Sequence, residues 1–205
     1  MSNTAFIQVP NYIVRDPNIN PLDFCVLASL KYAHFFSGSK KDLFEVDFNE
    51  VKRVIGIHDN RTLKKSLTNL YEQEYIMDEV VIHRKQMSVV RLNKILFTKP
   101  FTQLPTKLFT RINNIGCVGF RLLYYYESFI IRANTINQFC YASQETIQRD
   151  TGVSVRSIIE YNKRLKNAKL LNITEHKVRS EYDEDGMMNW NRYNNHYDVR
   201  LENLL

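Results

Sequence analysis

The chain has little of what would mark a specialised polymer. Six glycines and five prolines among 205 residues exclude a collagen-like or Pro/Gly-rich disordered segment. Three cysteines, Cys25, Cys117 and Cys140, are odd in number and widely spaced; this fits neither a disulfide framework nor a zinc site and points to a reducing compartment. No stretch approaches the roughly eighteen apolar residues of a membrane span. Met1-Ser2-Asn3-Thr4 lacks the basic segment and apolar run of a signal peptide, so the cytoplasm is the expected location and no membrane partner is expected. His34, His58, His83, His176 and His196 form no HExxH pair and no zinc spacing with cysteine, and no glycine-rich loop opens a helix as a phosphate cradle. The reading is a non-enzymatic protein with no catalytic residues, no metal and no cofactor. Tyr124-Tyr125-Tyr126 suggests a nicking tyrosine, but that chemistry also needs a metal-binding histidine pair, so these rings are expected in the core.

What the sequence does have is repetition. Phe6-Ile7-Gln8-Val9-Pro10 returns as Phe101-Thr102-Gln103-Leu104-Pro105, and the same step places Leu27 on Leu122, Leu63 on Ile158 and Leu70 on Leu165. A period of about one small domain predicts two similar domains in tandem, 1–97 and 98–205, not a solenoid. The net charge is +6 with a pI near 9.2, and both halves share in it, which favours a polyanionic partner.

In the second copy, Gly119 to Arg132 carries Leu122, Tyr125, Tyr126, Phe129 and Ile130 at helical spacing. Residues 138–142 read as a short strand. Ser143 caps a short helix ending near Gly152, and Ser154 caps a longer one from Val155 to about Lys169 with Ile158, Tyr161 and Leu165 inward. A strand from Leu170 to Val178 and a return from Trp190 to Leu201 follow, around the polar Glu181–Gly186 segment. The first copy predicts helices over 22–36, 47–55 and 60–74, a strand over 43–46, a hairpin over 76–92 and a linker over 94–98. Val90-Arg91-Leu92 aligns with Val199-Arg200-Leu201 as a shared return strand. A helix, a tight turn, a second helix and a hairpin make a winged helix, so the expected fold class is α+β, mainly α, with two tandem winged helix-turn-helix domains.

A helix that enters the major groove needs donors and small side chains on its exposed face near the N-terminus. The second copy offers Ser154, Val155, Arg156, Ile159, Glu160, Lys163, Arg164 and Lys166, with Lys177, Arg179 and Arg192 flanking the wing. Arg156 suits a guanine edge, Glu160 a cytosine amine, Val155 or Ile159 a thymine methyl, and Ser154 a phosphate. The first copy offers His58, Asn60, Arg61, Lys64 and Lys65 at matching places. Asp183, Glu184 and Asp185 at the wing tip would be repelled by phosphate.

From Val153 to Leu171, V-S-V-R-S-I-I-E-Y-N-K-R-L-K-N-A-K-L-L resembles the helix-turn-helix of a winged-helix family found in replication initiators, replisome organisers and regulators of low-GC Gram-positive plasmids and phages. Thr62 to Ile76 falls in the same register, and Asn191-Arg192-Tyr193 adds to the match. Tyr161 and Asn162 stand where the family usually has aliphatics, and Lys169 where a glycine is common. The resemblance implies sequence-specific binding of double-stranded DNA in a mobile genetic element, for replication initiation or transcription regulation, as an internal pseudo-dimer or a true homodimer. The alternative it leaves open is a winged-helix adaptor that docks replication or conjugation proteins with little direct DNA readout.

Overall fold

Local capping chemistry sets where most of the helices begin. In the computed structural model, which describes residues 5–39, 41–83, 86–133, 138–175 and 195–205 and the backbone of 179–182 and 188–191, the Asn20 side chain accepts from the Leu22 and Asp23 amides and Pro21 fills the first helical position of α2 (Pro21–Phe36). Both features satisfy or remove orphan donors at a helix start. Asp47 and Asp59 cap α3 (Phe48–Ile55) and α4 (Asn60–Glu72) in the same way. Ser143 and Ser154 cap α6 (Gln144–Thr151) and α7 (Val155–Asn167). Gly56 and Gly152 close α3 and α6 in the left-handed conformation.

The protein is mixed α+β and mainly helical, with small two-stranded sheets. The repeated pentapeptides form β1 (Phe6–Pro10), which runs straight into the one-turn α1 (Asn11–Val14), and β4 (Phe101–Pro105), and the two strands pair with each other. The antiparallel register runs from Phe6↔Pro105 to Pro10↔Phe101, so the motif meets itself about a local twofold at Gln8↔Gln103. There the Gln8 side-chain amide donates through Nε2 to Gln103 Oε1 at 3.3 Å. Behind this ribbon, α2 packs against α5 (Ile112–Glu127), with Phe24 edge-on to Phe120 and Tyr124. α3 and α4 lie on α2, and α7 lies on α5 with α6 against it. One continuous set of buried apolar side chains runs through both halves.

Several boundaries differ from the sequence expectation. α5 starts at Ile112 and bends at Gly116, which has φ 67°, and it ends at Glu127, short of Arg132. From Gly119 to Glu127 every residue is buried, because α5 is covered by α2 on one side and α7 on another and therefore has no solvent face to pattern. The 138–142 strand is reduced to one bridge, Cys140↔Tyr197, and the 76–92 hairpin to β3 (Ser88–Arg91), which pairs with β2 (Leu43–Val46), plus the bridge Ile76↔Leu92. In the second half β5 (Leu171–Thr174) pairs with β8 (His196–Val199), and β6 (Arg179–Tyr182) with β7 (Met188–Asn191). Leu92 lies opposite Ile76 and Val199 opposite Leu171, so the return strands correspond as Leu92 to Val199, two residues away from the Leu201 match drawn from sequence. The 94–98 segment is not a free linker: Lys94–Phe97 forms a 3-10 turn with Leu96 buried.

That turn holds a buried charge. Lys31 Nζ donates to the Leu96 carbonyl and lies 4.3 Å from the centre of the Phe97 ring. Burial lowers its pKa from 10.5 to about 8. Between those values the unfolded chain binds the proton that the folded one releases, so this group destabilises the fold at neutral pH and its contribution improves as pH rises from about 8 to 10.5. The stability advantage of Lys31→Met over wild type is expected to shrink by about 3 kcal/mol across that window. Urea unfolding of both proteins at each pH checks it. The buried Cys25 and Cys140 thiols, pushed up by burial, work the opposite way in both proteins and cancel in the difference. A pH-independent difference would place the ammonium in water.

Candidate nucleic-acid interface

Buried polar pairs position both candidate helices. The Asp23 carboxylate on α2 accepts from Asn20, from Ser66 Oγ at 2.5 Å and from Asn69 Nδ2 at 2.9 Å, which fixes α4. On the other side the Tyr126 hydroxyl donates to Asn162 Oδ1 on α7 at 2.8 Å, and Tyr125 donates to Asp150 on α6 at 2.8 Å. Asn162 is therefore inward, and Tyr161 is half-buried with its ring against Gly116. The three tyrosines are fully packed and burial raises their pKa values. Unpaired donors at these depths would cost free energy, so each hydroxyl acts as an orienting tether.

With that face anchored, α7 turns Ser154, Arg156, Ile159, Glu160, Lys163, Arg164 and Lys166 to solvent and leaves Val155 half-buried. Ile159 is 40% exposed, an apolar contact flanked by charge. Glu160 is paired with Arg164 at 2.6 Å, and the Arg164 guanidinium lies over the Tyr161 ring at 4.6 Å. These two residues are thus engaged with each other, while Arg156 and Lys163 run along the same face at helical spacing. The Glu160–Arg164 pair has the i, i+4 spacing that would have revealed it in the sequence.

On the first half His58, Asn60, Arg61, Lys64 and Lys65 are all exposed around the start of α4. Lys52 on α3 donates to Asn60 Oδ1 at 2.6 Å. Lys52, Arg53 and His58 share an open cleft of about 590 Å³ with Asn113, a residue of the other half. Sequence reading missed Lys52 and Arg53, because only the fold brings α3 and the α5 start together. Lys177 and Arg192, with the acidic 183–185 run, lie outside the described residues. Arg179 is described only as backbone in β6.

The two helix starts differ electrically. α4 begins with Asp59, whose carboxylate bonds the Thr62 amide and is held below its ordinary range by those bonds. α7 begins with the neutral Ser154. Only α7 leaves the positive end of its dipole without a fixed anion. Among the described residues no group of three or more His, Cys, Asp or Glu side chains could hold a metal, and no helix is long and apolar enough to cross a membrane. No protein-family model matches the chain, and no curated protein matches it by sequence.

Proposed function

We propose that this chain is a non-enzymatic, sequence-specific binder of double-stranded DNA, built from two tandem winged helices, acting in the cytoplasm in the replication or transcription control of a mobile genetic element. The observation that carries the reading is the outward face of α7. Its core-facing side is tethered by Tyr126 and Asn162, its N-terminus carries an uncharged cap, and it displays Arg156, Ile159 and Lys163 as one stripe. A rigid helix presenting a guanidinium and a small apolar contact is what base-edge readout needs. The pairing of β1 with β4 supports the internal pseudo-dimer form, in which α7 reads bases and the first half contributes backbone contacts through Lys52, Arg61 and Lys64.

The test is selection of sites from random duplexes followed by titration. Arg156→Ala is expected to weaken the selected site by about 1–3 kcal/mol and relax its sequence preference, while Lys166→Ala weakens all duplexes alike and lowers the salt dependence. No binding at low salt would sink the proposal, and equal losses on selected and random DNA for both variants would remove the readout role of α7.

A further inference from the structure

The end of α2 and the adjacent α3 form an apolar groove of about 310 Å³ that the DNA reading leaves unused. Its floor and walls are Tyr32, Ala33 and Phe36 from α2, Val51 and Val54 from α3, and Met87. Phe36 is 58% exposed and Met87 is also open to solvent. Large exposed rings in a concave setting, as opposed to scattered single apolar residues, mark an interaction surface. The rim is acidic: Glu45, Asp47 and Glu50 line the same groove, on a chain whose overall charge is +6. Asp47 caps α3 by accepting from the Asn49 amide and Glu50 pairs with Arg53 at 2.5 Å, and Glu45 is exposed on β2.

The second half supplies a comparison. Tyr32 and Ala33 correspond to Glu127 and Ser128 at the 95-residue step; aligning α3 with α6 on their caps, Asp47 with Ser143 and Gly56 with Gly152, adds one residue and places Val54 on Asp150 and Glu50 on Thr146. Glu127 is tied to Arg132 and Asp150 to Tyr125. The second half keeps Ile131 and Ile147 at the Phe36 and Val51 places but has polar or charged side chains at the Tyr32, Ala33 and Val54 places and no acid at the Asp47 and Glu50 places, so the apolar groove with an acidic rim is not repeated there.

We infer that this groove is a docking site for a partner protein's amphipathic helix, one that inserts aliphatic side chains between α2 and α3 and carries lysine or arginine beside them. Negative charge around an apolar slot selects a basic helix and repels an acidic one of the same hydrophobicity. Residues 29–36 span about two helical turns, so the seat takes two or three anchors at i, i+3 or i+4, and i+7. The inference stands apart from DNA reading by α7, and its failure leaves that reading untouched.

A labelled amphipathic peptide of leucine and lysine is the probe, with a leucine–glutamate peptide of the same pattern as control, measured by fluorescence anisotropy on the full chain. The lysine peptide is expected to bind and the glutamate peptide not to. Phe36→Ser and Glu45→Lys, both at exposed positions, each weaken the lysine peptide by about tenfold or more, whereas Ile131→Ser, at the place on the second half that corresponds to Phe36, leaves it unchanged. Duplex binding by the Phe36→Ser protein stays at the wild-type level. Three results would overturn the inference: equal binding of both peptides, lysine-peptide binding indifferent to Phe36→Ser, or a dimer seen by light scattering that Phe36→Ser dissolves, since the occupant would then be a second copy.

Discussion

Arg121→Ala is expected to destabilise the protein by about 3–5 kcal/mol, the range for breaking a buried ionic network and emptying its volume. Arg121 sits in the middle of α5 with 0% exposure. Its guanidinium donates to the Asp16 carbonyl at 2.5 Å and to the Ile19 carbonyl, both in the loop that leads into α2, and it faces the Phe24 ring at 5.5 Å. Burial lowers its pKa to about 10, with the nearby Asp16 carboxylate opposing the shift, so it remains charged at neutral pH. Alanine leaves two carbonyls without their donor and a cavity between the central helices. Arg121→Met fills most of that volume and removes the desolvation penalty, so its loss is expected to be about 1–2 kcal/mol. Denaturant unfolding of the two variants separates the effects. If Arg121→Ala unfolds within about 1 kcal/mol of wild type, the guanidinium is not a joint between the halves, since a lost buried network exceeds that.

The elements legible in the sequence were those whose signals are local. Asp47, Asp59, Ser143 and Ser154 are caps, and Gly56 and Gly152 end helices in the left-handed region, so α3, α4, α6 and α7 begin within a residue of expectation. Where signals are not local the reading fell short. The Phe6 and Phe101 pentapeptides were visible as a repeat, but nothing in either one says that they pair across 95 residues. α5 is enclosed and so has no polar face, and no local signal marks Arg121 as the buried tether that it is. The return strands slipped by two residues because Val90-Arg91-Leu92 recurs letter for letter as Val199-Arg200-Leu201, whereas its ladder counterpart, Tyr197-Asp198-Val199, shares only the apolar–charged–apolar alternation; the ladder partners, not the letters, set the correspondence.

For the candidate interface, exposure was legible, and so was the local Glu160–Arg164 pair, but contacts between elements were not. Periodicity correctly turned Arg156, Lys163, Arg61, Lys64 and Lys65 outward. The sequence put Tyr161 in the core and treated Asn162 as an anomaly of the family pattern. In fact Asn162 accepts the Tyr126 hydroxyl, and Tyr161 fills the space that Gly116 leaves at the α5 bend. The two departures are partners of residues on α5. The cleft residues Lys52 and Arg53 and the groove residues Phe36 and Met87 needed the tertiary arrangement to become neighbours.

That arrangement makes a glycine series informative. Gly38, Gly56 and Gly152 all have φ between 65° and 71°, so replacing any of them with alanine incurs a similar left-handed backbone cost of about 1 kcal/mol. What a Cβ would meet differs. At Gly38 nothing lies within 4 Å; at Gly56 it comes to 2.9 Å from the Asn113 side-chain oxygen; at Gly152 it comes to 2.6 Å from the backbone carbonyl oxygen of Pro17. A side-chain tip can swing aside, but the Pro17 carbonyl belongs to the loop that Arg121 holds through Asp16 and Ile19. Gly38→Ala and Gly56→Ala are therefore expected to cost about 1–1.5 kcal/mol each, and Gly152→Ala about 3 kcal/mol or more, through overpacking added to strain. The first-half loop sits against the turn between α6 and α7, so the Gly152 substitution also shifts α7 from its seat and is expected to weaken duplex binding beyond any loss of folded protein. Thermal unfolding of the three variants, with duplex titration at a temperature where all remain folded, checks both parts. Equal costs at the three glycines would show that the α6–α7 turn does not bear on the first half, and a fixed placement of α7 relative to the first-half backbone contacts would lose its physical basis.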